Sequence, residues 1–406
     1  MGTKDQETII YGAEANSRFC ADWQQKLHDE VKRALLYLIY RRQLSRDDYS
    51  KLDYRDYLSA HSFNMGDVAI ADTVSAFVRE AFAETNFDYV NWGELRQVPA
   101  LSSVQSDAEI IIAGSGYISL DHDNRLANRI DKDRQLIKDT HARPVLFGIG
   151  VNRPHYDLAE TEEPVIDGTD EQILSDFLSM CRSISVRDTF SQNLLQRYTE
   201  KKVELIGDPA LHYASLHQVR RKPDAINGKL KHPVIGINFN FHGPTSNAIM
   251  RKNLKAYITV LKEIQQTTGC SYRYFVHHES AEAIPKLMAA KHLHVKVIRG
   301  NPAKLFADYV ELDLHIGGML HSCIFAHSVD VPSIALAYDI KHHGFFELFG
   351  LEENCLSSIN FEPDALKERV YALLADSEPT IRIIREKRQE LEMLTRNFTQ
   401  SLNLTN

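Results

Sequence analysis

Residues 217–232, HQVRRKPDAINGKLKH, divide the chain into two stretches that otherwise read alike. The segment is polar and basic and carries Pro223 and Gly228, the composition of a connection rather than of a packed element. On its N-terminal side, short apolar runs at Glu109–Ala113, Pro144–Ile149, Ile184–Val186 and Val203–Ile206 alternate with helical patterns such as Ile173, Leu174, Phe177, Leu178 and Cys181. On its C-terminal side the alternation restarts. Val234–Phe241 reads as a strand, and Leu254, Tyr257, Ile258, Leu261 and Ile264 mark one face of a helix. Tyr272–Val276, Val295–Ile298, Leu312–Ile316 and Ser333–Ala337 read as further strands. Strands alternating with helices build a parallel sheet covered on both faces. The expected fold is therefore α/β, with two Rossmann-like domains over residues 59–216 and 233–378 joined by the linker 217–232.

The two ends differ from this plan. Within residues 1–58, Leu27, Val31, Ala34, Leu35 and Leu38 recur at steps of three and four, so the region is expected to form an N-terminal helical extension. Residues 379–406 are expected to form a C-terminal closing helix. Ile381, Ile383, Ile384, Leu391 and Leu394 are set there among many charges, which read as a solvated face.

Composition narrows the function. With 406 residues, 43% hydrophobic and 25% charged, the chain can bury a sizeable core and is not disordered or collagen-like. The 47 basic against 55 acidic residues leave a net charge of −8, without the broad positive field that a phosphate backbone needs, so nucleic acid is not an expected partner. No apolar run has the length of a membrane span, and the polar start has no apolar signal core, so a cytoplasmic protein is expected. The five cysteines are scattered without a CxxC pair, which suits reduced thiols. Two glycosylation sequons, at Asn397 and Asn403, are taken as chance matches.

In open parallel sheets ligands sit beyond the carboxyl ends of the strands, and four such loops carry unusual residues. Asn64-Met-Gly-Asp67 opens a helical pattern, either as an anion site at exposed helix N–H groups or as an ordinary cap. Gly114-Ser-Gly116 follows an apolar run and can cradle an anion or simply turn the chain. Arg187 ends a strand in Ser185-Val-Arg-Asp188, where its fork can grip a carboxylate or phosphate or pair with a neighbouring Asp. The companion turn Gly207-Asp-Pro-Ala210 brings Asp208 to the end of the next strand.

The richest loop is Ile316-Gly-Gly-Met-Leu-His-Ser322. His321 stands there at the start of a helix, whose N-terminus disfavours the charged imidazole and brings it toward proton exchange near neutrality. Downstream, Lys341 in Tyr338-Asp-Ile-Lys341 ends another strand, either where an anionic substrate would lie or as a surface lysine, and His278 follows the strand Tyr272–Val276. No metal site is expected. The adjacent histidines at 277–278 and 342–343 point to opposite faces of a strand, and the 292/294 pair offers only two ligands. No phosphate-loop, dinucleotide or serine-hydrolase signature is present.

Taken in order, the motifs Asn64–Asp67, Gly114–Gly116, Val186–Asp188, Gly207–Ala210, Leu320–Ser322, Pro332–Ile334 and Tyr338–Gly344 resemble the polysaccharide pyruvyl transferase family, over about residues 60 to 351. The resemblance implies a fold like the two-domain GT-B glycosyltransferases. It implies transfer of the enolpyruvyl unit of phosphoenolpyruvate to two sugar hydroxyls, giving a cyclic ketal and phosphate, with no cofactor beyond that co-substrate. His321 would be the acid/base. Arg187, Leu320, Lys341, Gly114, Gly116, Asn64 and Asp67 would bind the donor, and Asp208, His278 and Asp188 would support the acceptor. The partners implied are phosphoenolpyruvate and a glycan or lipid-linked oligosaccharide, whose lipid would bring the protein to the inner face of the membrane. The oligomeric state is not readable.

One position departs from the family, which usually has Arg two residues before this His where this chain has Met319. A thioether cannot pair with a carboxylate or phosphate. Three explanations stand: another cation such as Arg125, Arg153 or Lys341 substitutes, the donor or acceptor differs, or activity is weakened. Two other functions therefore stay open: a nucleotide-sugar-dependent glycosyltransferase of GT-B type, and a glycan-binding protein without turnover.

Overall fold

The structure is a computed structural model and describes residues 8–13, 31, 64–82, 87–98, 101, 108–121, 123–153, 164–220, 232–239, 244–278 and 284–402. The first half supplies β1 (Thr8–Gly12), α1 (Met65–Ala81), β2 (Phe87–Asn91), β3 (Glu109–Ala113), β4 (Ile118–Ser119), α2 (Asn128–Thr140), β5 (Arg143–Ile149), β6 (Val151–Asn152), α3 (Gly168–Met180), β7 (Ser183–Val186), α4 (Thr189–Gln196), β8 (Val203–Leu205) and α5 (Tyr213–Leu216). The second half supplies β9 (Val234–Asn238), α6 (Pro244–Thr268), β10 (Ser271–Phe275), α7 (Ile284–Ala290), β11 (Lys296–Ile298), α8 (Pro302–Tyr309), β12 (Leu314–Gly317), α9 (Leu320–Ser328), β13 (Ser333–Ala337), α10 (Ile340–Phe349), β14 (Cys355–Ser357), α11 (Pro363–Ala375) and α12 (Glu378–Ser401).

Each half is a parallel sheet of six strands, in the orders β2-β1-β3-β5-β7-β8 and β11-β10-β9-β12-β13-β14. Both are the doubly wound pattern expected, and each reverses direction once, between β1 and β3 and between β9 and β12. Such switch points open a crevice at the carboxyl end of the sheet. Side chains alternate across β1, β3 and β5. Ile9, Ile110 and Leu146 face a core belonging to the first half, while Ile10, Ile111 and Val145 face a cluster that also holds Phe275, Phe306 and Phe325 from the second. The two halves thus share apolar packing.

The sequence reading needs correction at its start. Residues 8–12 are not part of a helical extension but form a central strand, paired on one side with Phe87–Asn91 and on the other with Glu109–Ala113. A five-residue stretch, TIIYG, is too short to show either period, and its partners come from distant sequence. Of the other residues in 1–58, all but 13 and 31 lie outside the described residues, as do 221–231 of the linker. The strands Phe87–Asn91 and Cys355–Ser357 were also not expected. Both lie at sheet edges, where partly exposed positions blur the apolar signal.

The closing helix α12 runs from Glu378 to Ser401 and returns to the first half. Thr395 Oγ1 donates to the carbonyl of Ile206 at 3.1 Å, and Leu391 covers Gly207. Arg385 and Arg388 each reach Asp330 of the second half at 3.1 Å. Ile384, Leu391 and Phe398 enter the shared cluster, so the helix straps both halves together. Among the described residues no helix is long and apolar enough to cross a membrane.

Ile384→Ala is expected to lower unfolding stability by about 2–5 kcal/mol through lost burial and a residual cavity. Met393→Ala on the same helix, at a side chain 56% exposed, should change it by less than about 0.5 kcal/mol. Urea unfolding followed by circular dichroism checks the contrast.

Candidate active site

The seam between the halves begins at Asn64. Its side chain caps α1 by accepting from the Gly66 amide at 3.1 Å, as a helix start of this type requires. The same residues reach across the seam: the Met65 amide donates to the His277 carbonyl at 3.0 Å, and Asn64 pairs with His278. This fixes the N-terminus of α1 against the carboxyl end of β10. Gly66 lies so close to His321 that an added Cβ would fall 1.9 Å from the imidazole Nδ1. The glycine of Asn-Met-Gly-Asp is therefore where the ring rests. Asp67 is buried in the first turn of α1.

From the second half, Asn238 holds the turn that carries His321. Its Oδ1 accepts from the Met319 amide at 3.1 Å, its carbonyl accepts from the Gly318 amide at 2.7 Å, and its Nδ2 donates to the Phe275 carbonyl at 2.8 Å. His321 then opens the first turn of α9. Its Nε2 is buried without a hydrogen-bond partner and stands 3.9 Å from Asp208 Oδ2. Burial, joined by the charges of Arg187 and Lys341, holds the imidazole pKa well below its ordinary value, so the ring is neutral at physiological pH.

Asp208 and Arg187 come from the first half. Asp208 ends the β8 loop, where its Oδ1 accepts from the Ala210 amide at 3.0 Å. Its Oδ2 has no hydrogen-bond partner and stands 3.8 Å from an Arg187 terminal nitrogen. Burial pushes this carboxyl up to about 6, against the opposing pull of Arg187. Arg187 is 4% exposed. Its Nε donates to Asp188 Oδ2 at 3.2 Å and its NH2 to Asn152 Oδ1 at 3.2 Å. The other oxygen of Asp188 caps α4 by accepting from the Ser191 amide at 2.7 Å. The guanidinium lies flat against Gly150, where a Cβ would meet Nε at 2.2 Å.

Lys341 enters from α10, whose cap Asp339 accepts from the Lys341 amide at 3.1 Å. Burial works against its charge, but Tyr338 and Asp339 outweigh that and hold the ammonium pKa above its ordinary value. Gly344 brings α10 onto Asp188, with 3.0 Å from an added Cβ to the aspartate Cβ. The cluster is thus a neutral imidazole beside a carboxyl that titrates near 6, with two cations whose charges both reach the imidazole.

Other expected site residues have structural work. Gly114, at φ +50°, admits Ile70 of α1, and its amide donates to the Phe147 carbonyl at 2.8 Å, so that N–H is not free for a phosphate. Gly116 admits the side chain of Asn152. Leu320 lies in the shared apolar cluster, where its side chain packs. His278 is buried at the seam. Met319 is 6% exposed and precedes α9 with no side-chain cap. Of the cations weighed as its replacement, Lys341 reaches His321, Arg153 follows Asn152, and Arg125 is exposed on the loop before α2.

The sequence reading missed Asn152, Asn238 and Gly150. Each stands at or just after the end of a strand, and that position was the available signal. Among the described residues no group of three or more His, Cys, Asp or Glu side chains is placed to hold a metal ion.

Residues 64–340 match the family described as polysaccharide pyruvyl transferase. No curated protein matches the chain. Among solved structures, the chain is similar to UDP-GlcNAc 2-epimerase from Neisseria meningitidis bound to UDP-GlcNAc, with 10% identity, 98% of this chain and 100% of that chain covered, and a TM-score of 0.47. It is similar to MnaA of S. aureus in its UDP co-structure, at 9% identity, 99% and 98% coverage and a TM-score of 0.47. A third is the wall teichoic acid polymerase TagF, at 12% identity, 95% and 100% coverage and a TM-score of 0.45.

Asp208 supplies a pH signature. Its carboxyl is raised from 3.8 to about 6, so across that window the folded chain holds a proton that the unfolded chain has released, and this group's contribution to stability falls as pH rises. Asp208→Asn removes the slope. In urea unfolding at about pH 4.5 and about pH 6.5, the variant should gain on the wild type at the higher pH. An unchanging difference would mean that Asp208 ionises at its ordinary value.

Proposed function

The chain belongs to the polysaccharide pyruvyl transferase family, and from that membership and the site's geometry we propose that it moves the enolpyruvyl unit of phosphoenolpyruvate onto two hydroxyls of one sugar in a glycan or lipid-linked precursor. The observation that carries this reading is the pair formed by His321 and Asp208, 3.9 Å apart, with the charges of Arg187 and Lys341 acting on the same imidazole. A trianionic donor needs the cations. Addition to an enol phosphate needs a proton that is delivered and then recovered.

The pair does this with one proton. Raised to about 6, the Asp208 carboxyl keeps a larger protonated fraction near neutrality than an ordinary carboxylate, and it is this protonated form that delivers, beside the free His321 Nε2. Delivery of that proton to the donor methylene makes C2 electron-poor, and a sugar oxygen bonds to it. The neutral imidazole receives the hydroxyl proton, restoring the pair. The C2–O bond to phosphate then breaks, the second hydroxyl closes the ring, and its proton leaves with the phosphate as hydrogen phosphate. Arg187 and Lys341 hold the donor carboxylate and phosphate throughout. Arg187 is oriented before substrate arrives by Asp188 and Asn152, so little reorganisation is needed. Lys341 supplies the second cation in a chain that has Met319 in place of the family's Arg. The reaction takes place in the cytoplasm, where phosphoenolpyruvate is made, and a lipid-linked acceptor brings the enzyme to the inner membrane face.

Phosphate release from phosphoenolpyruvate, measured with glycans bearing neighbouring free hydroxyls, is expected to fall about 10²–10⁴-fold in His321→Ala. Equal turnover of variant and wild type would sink the role of His321. Phosphoenolpyruvate should raise the melting temperature, and Arg187→Lys should reduce the shift because an ammonium cannot replace the fork. A shift produced only by nucleotide sugars would replace this reading with glycosyl transfer.

A further inference from the structure

A second concave site lies in the first half, apart from the cluster around His321. It is a cavity of about 480 Å³ bordered by Trp92, Arg96, Arg129, Lys132 and Asp133, within the range of small-ligand pockets. Its walls come from the end of β2 and from α2. Tyr11 of β1 and Tyr117 of the loop after β3 support it, and those two strands flank the switch point of the first sheet. Tyr11 and Tyr117 donate to the same Asp133 oxygen, at 3.0 and 2.7 Å. Arg129 lies over the Trp92 ring at 4.0 Å and donates to the Tyr117 carbonyl at 2.6 Å. Tyr117 follows Gly116, whose close neighbour Asn152 holds Arg187, so the cavity is joined to the catalytic cluster by one short run of backbone.

Two features of the cavity point to a ligand. Trp92 Nε1 and Arg129 Nε are both buried without a hydrogen-bond partner. Both atoms can only donate, and a buried donor left unmatched is unfavourable. The lining also carries three cations against one carboxylate, in a chain whose net charge is −8. A ligand that meets these groups brings acceptor oxygens with negative charge for the donors and cations, hydroxyls for Asp133, and a ring with apolar C–H faces for the indole.

We propose that this cavity binds an anionic sugar unit of the acceptor, a pyranose carrying a phosphoryl or carboxylate group, and so fixes which glycan presents its hydroxyls to His321. The inference rests on the reading of the chain as acting on a glycan, but not on transfer from phosphoenolpyruvate. Arg129 and Trp92 set the pose, while Arg96 and Lys132, both exposed, supply charge from the rim.

The chain has two tryptophans, Trp23 and Trp92, so Trp23→Phe leaves Trp92 as the only indole reporter. In that background, glucose 1-phosphate or glucuronic acid should change the emission saturably, and glucose should do so at least about tenfold more weakly. The stronger of the two anions identifies the charged group. Arg96→Gln with Lys132→Gln, both at exposed positions that leave the fold intact, should weaken the anionic probe by about tenfold or more while the melting shift given by phosphoenolpyruvate persists. Equal binding in that double variant, no saturable response to either anion, or a Trp92 response to phosphoenolpyruvate that is lost in the same variant would overturn the proposal. Loss of the phosphoenolpyruvate shift with the Trp92 response intact would defeat the transfer reading and leave the sugar site standing.

Discussion

Arg187 brings a guanidinium charge to a position only 4% exposed, and much of the site follows from what keeps it there. A buried cation is strongly unfavourable unless its donors are matched. Asp188 and Asn152 match two of them, and Asp208 stands close on a third side. Those partners arrive from three loops: Asp188 from the start of α4, Asn152 from β6, Asp208 from the turn after β8. The flat approach of the guanidinium to Gly150 leaves no room for a side chain there. The same cation opposes the rise of the Asp208 carboxyl and the protonation of His321, so the charge that would hold a donor also sets the protonation of the groups beside it.

This chemistry is assembled across a seam rather than within one domain. Arg187 and Asp208 belong to the first sheet, His321 and Lys341 to the second. Two backbone contacts, Met65 to His277 and Asn64 with His278, hold the two in register, and Gly344 packs close against the side chain of Asp188. α12 reinforces them from outside through Thr395 and the arginines on Asp330. An apolar cluster that draws on both sheets makes this seam a packed layer, in which His321 and Asp208, from the carboxyl ends of two separate sheets, stand 3.9 Å apart.

Several positions show how far the sequence could be read. Glu109–Ala113 and Ser333–Ala337 were legible to the residue because a buried parallel strand is a short apolar run bounded by turn residues. Arg187, Asp208, His321 and Lys341, which the fold brings together, stand out in the sequence because they are polar residues just after such runs, where open sheets place their ligands. Thr8–Gly12 was not legible: its strand character depends on partners at Phe87–Asn91 and Glu109–Ala113 that only folding supplies. Gly114 and Gly116 read either as an anion cradle or as a turn, and in the fold they make room for Ile70 and Asn152. A glycine that makes room for a neighbouring side chain and a glycine that makes room for a ligand are the same letter.

The sequence by itself determined the alternation of strand and helix, the division into two parallel sheets and the order of the motifs, because burial periodicity and turn chemistry are local properties of the chain. Only the tertiary structure decided that His321 rests on Gly66, that its free nitrogen faces Asp208 and that Asn152 orients Arg187. Those contacts join residues far apart in the chain. They exist because two sheets packed on a common apolar cluster bring their carboxyl ends together, which no local pattern encodes.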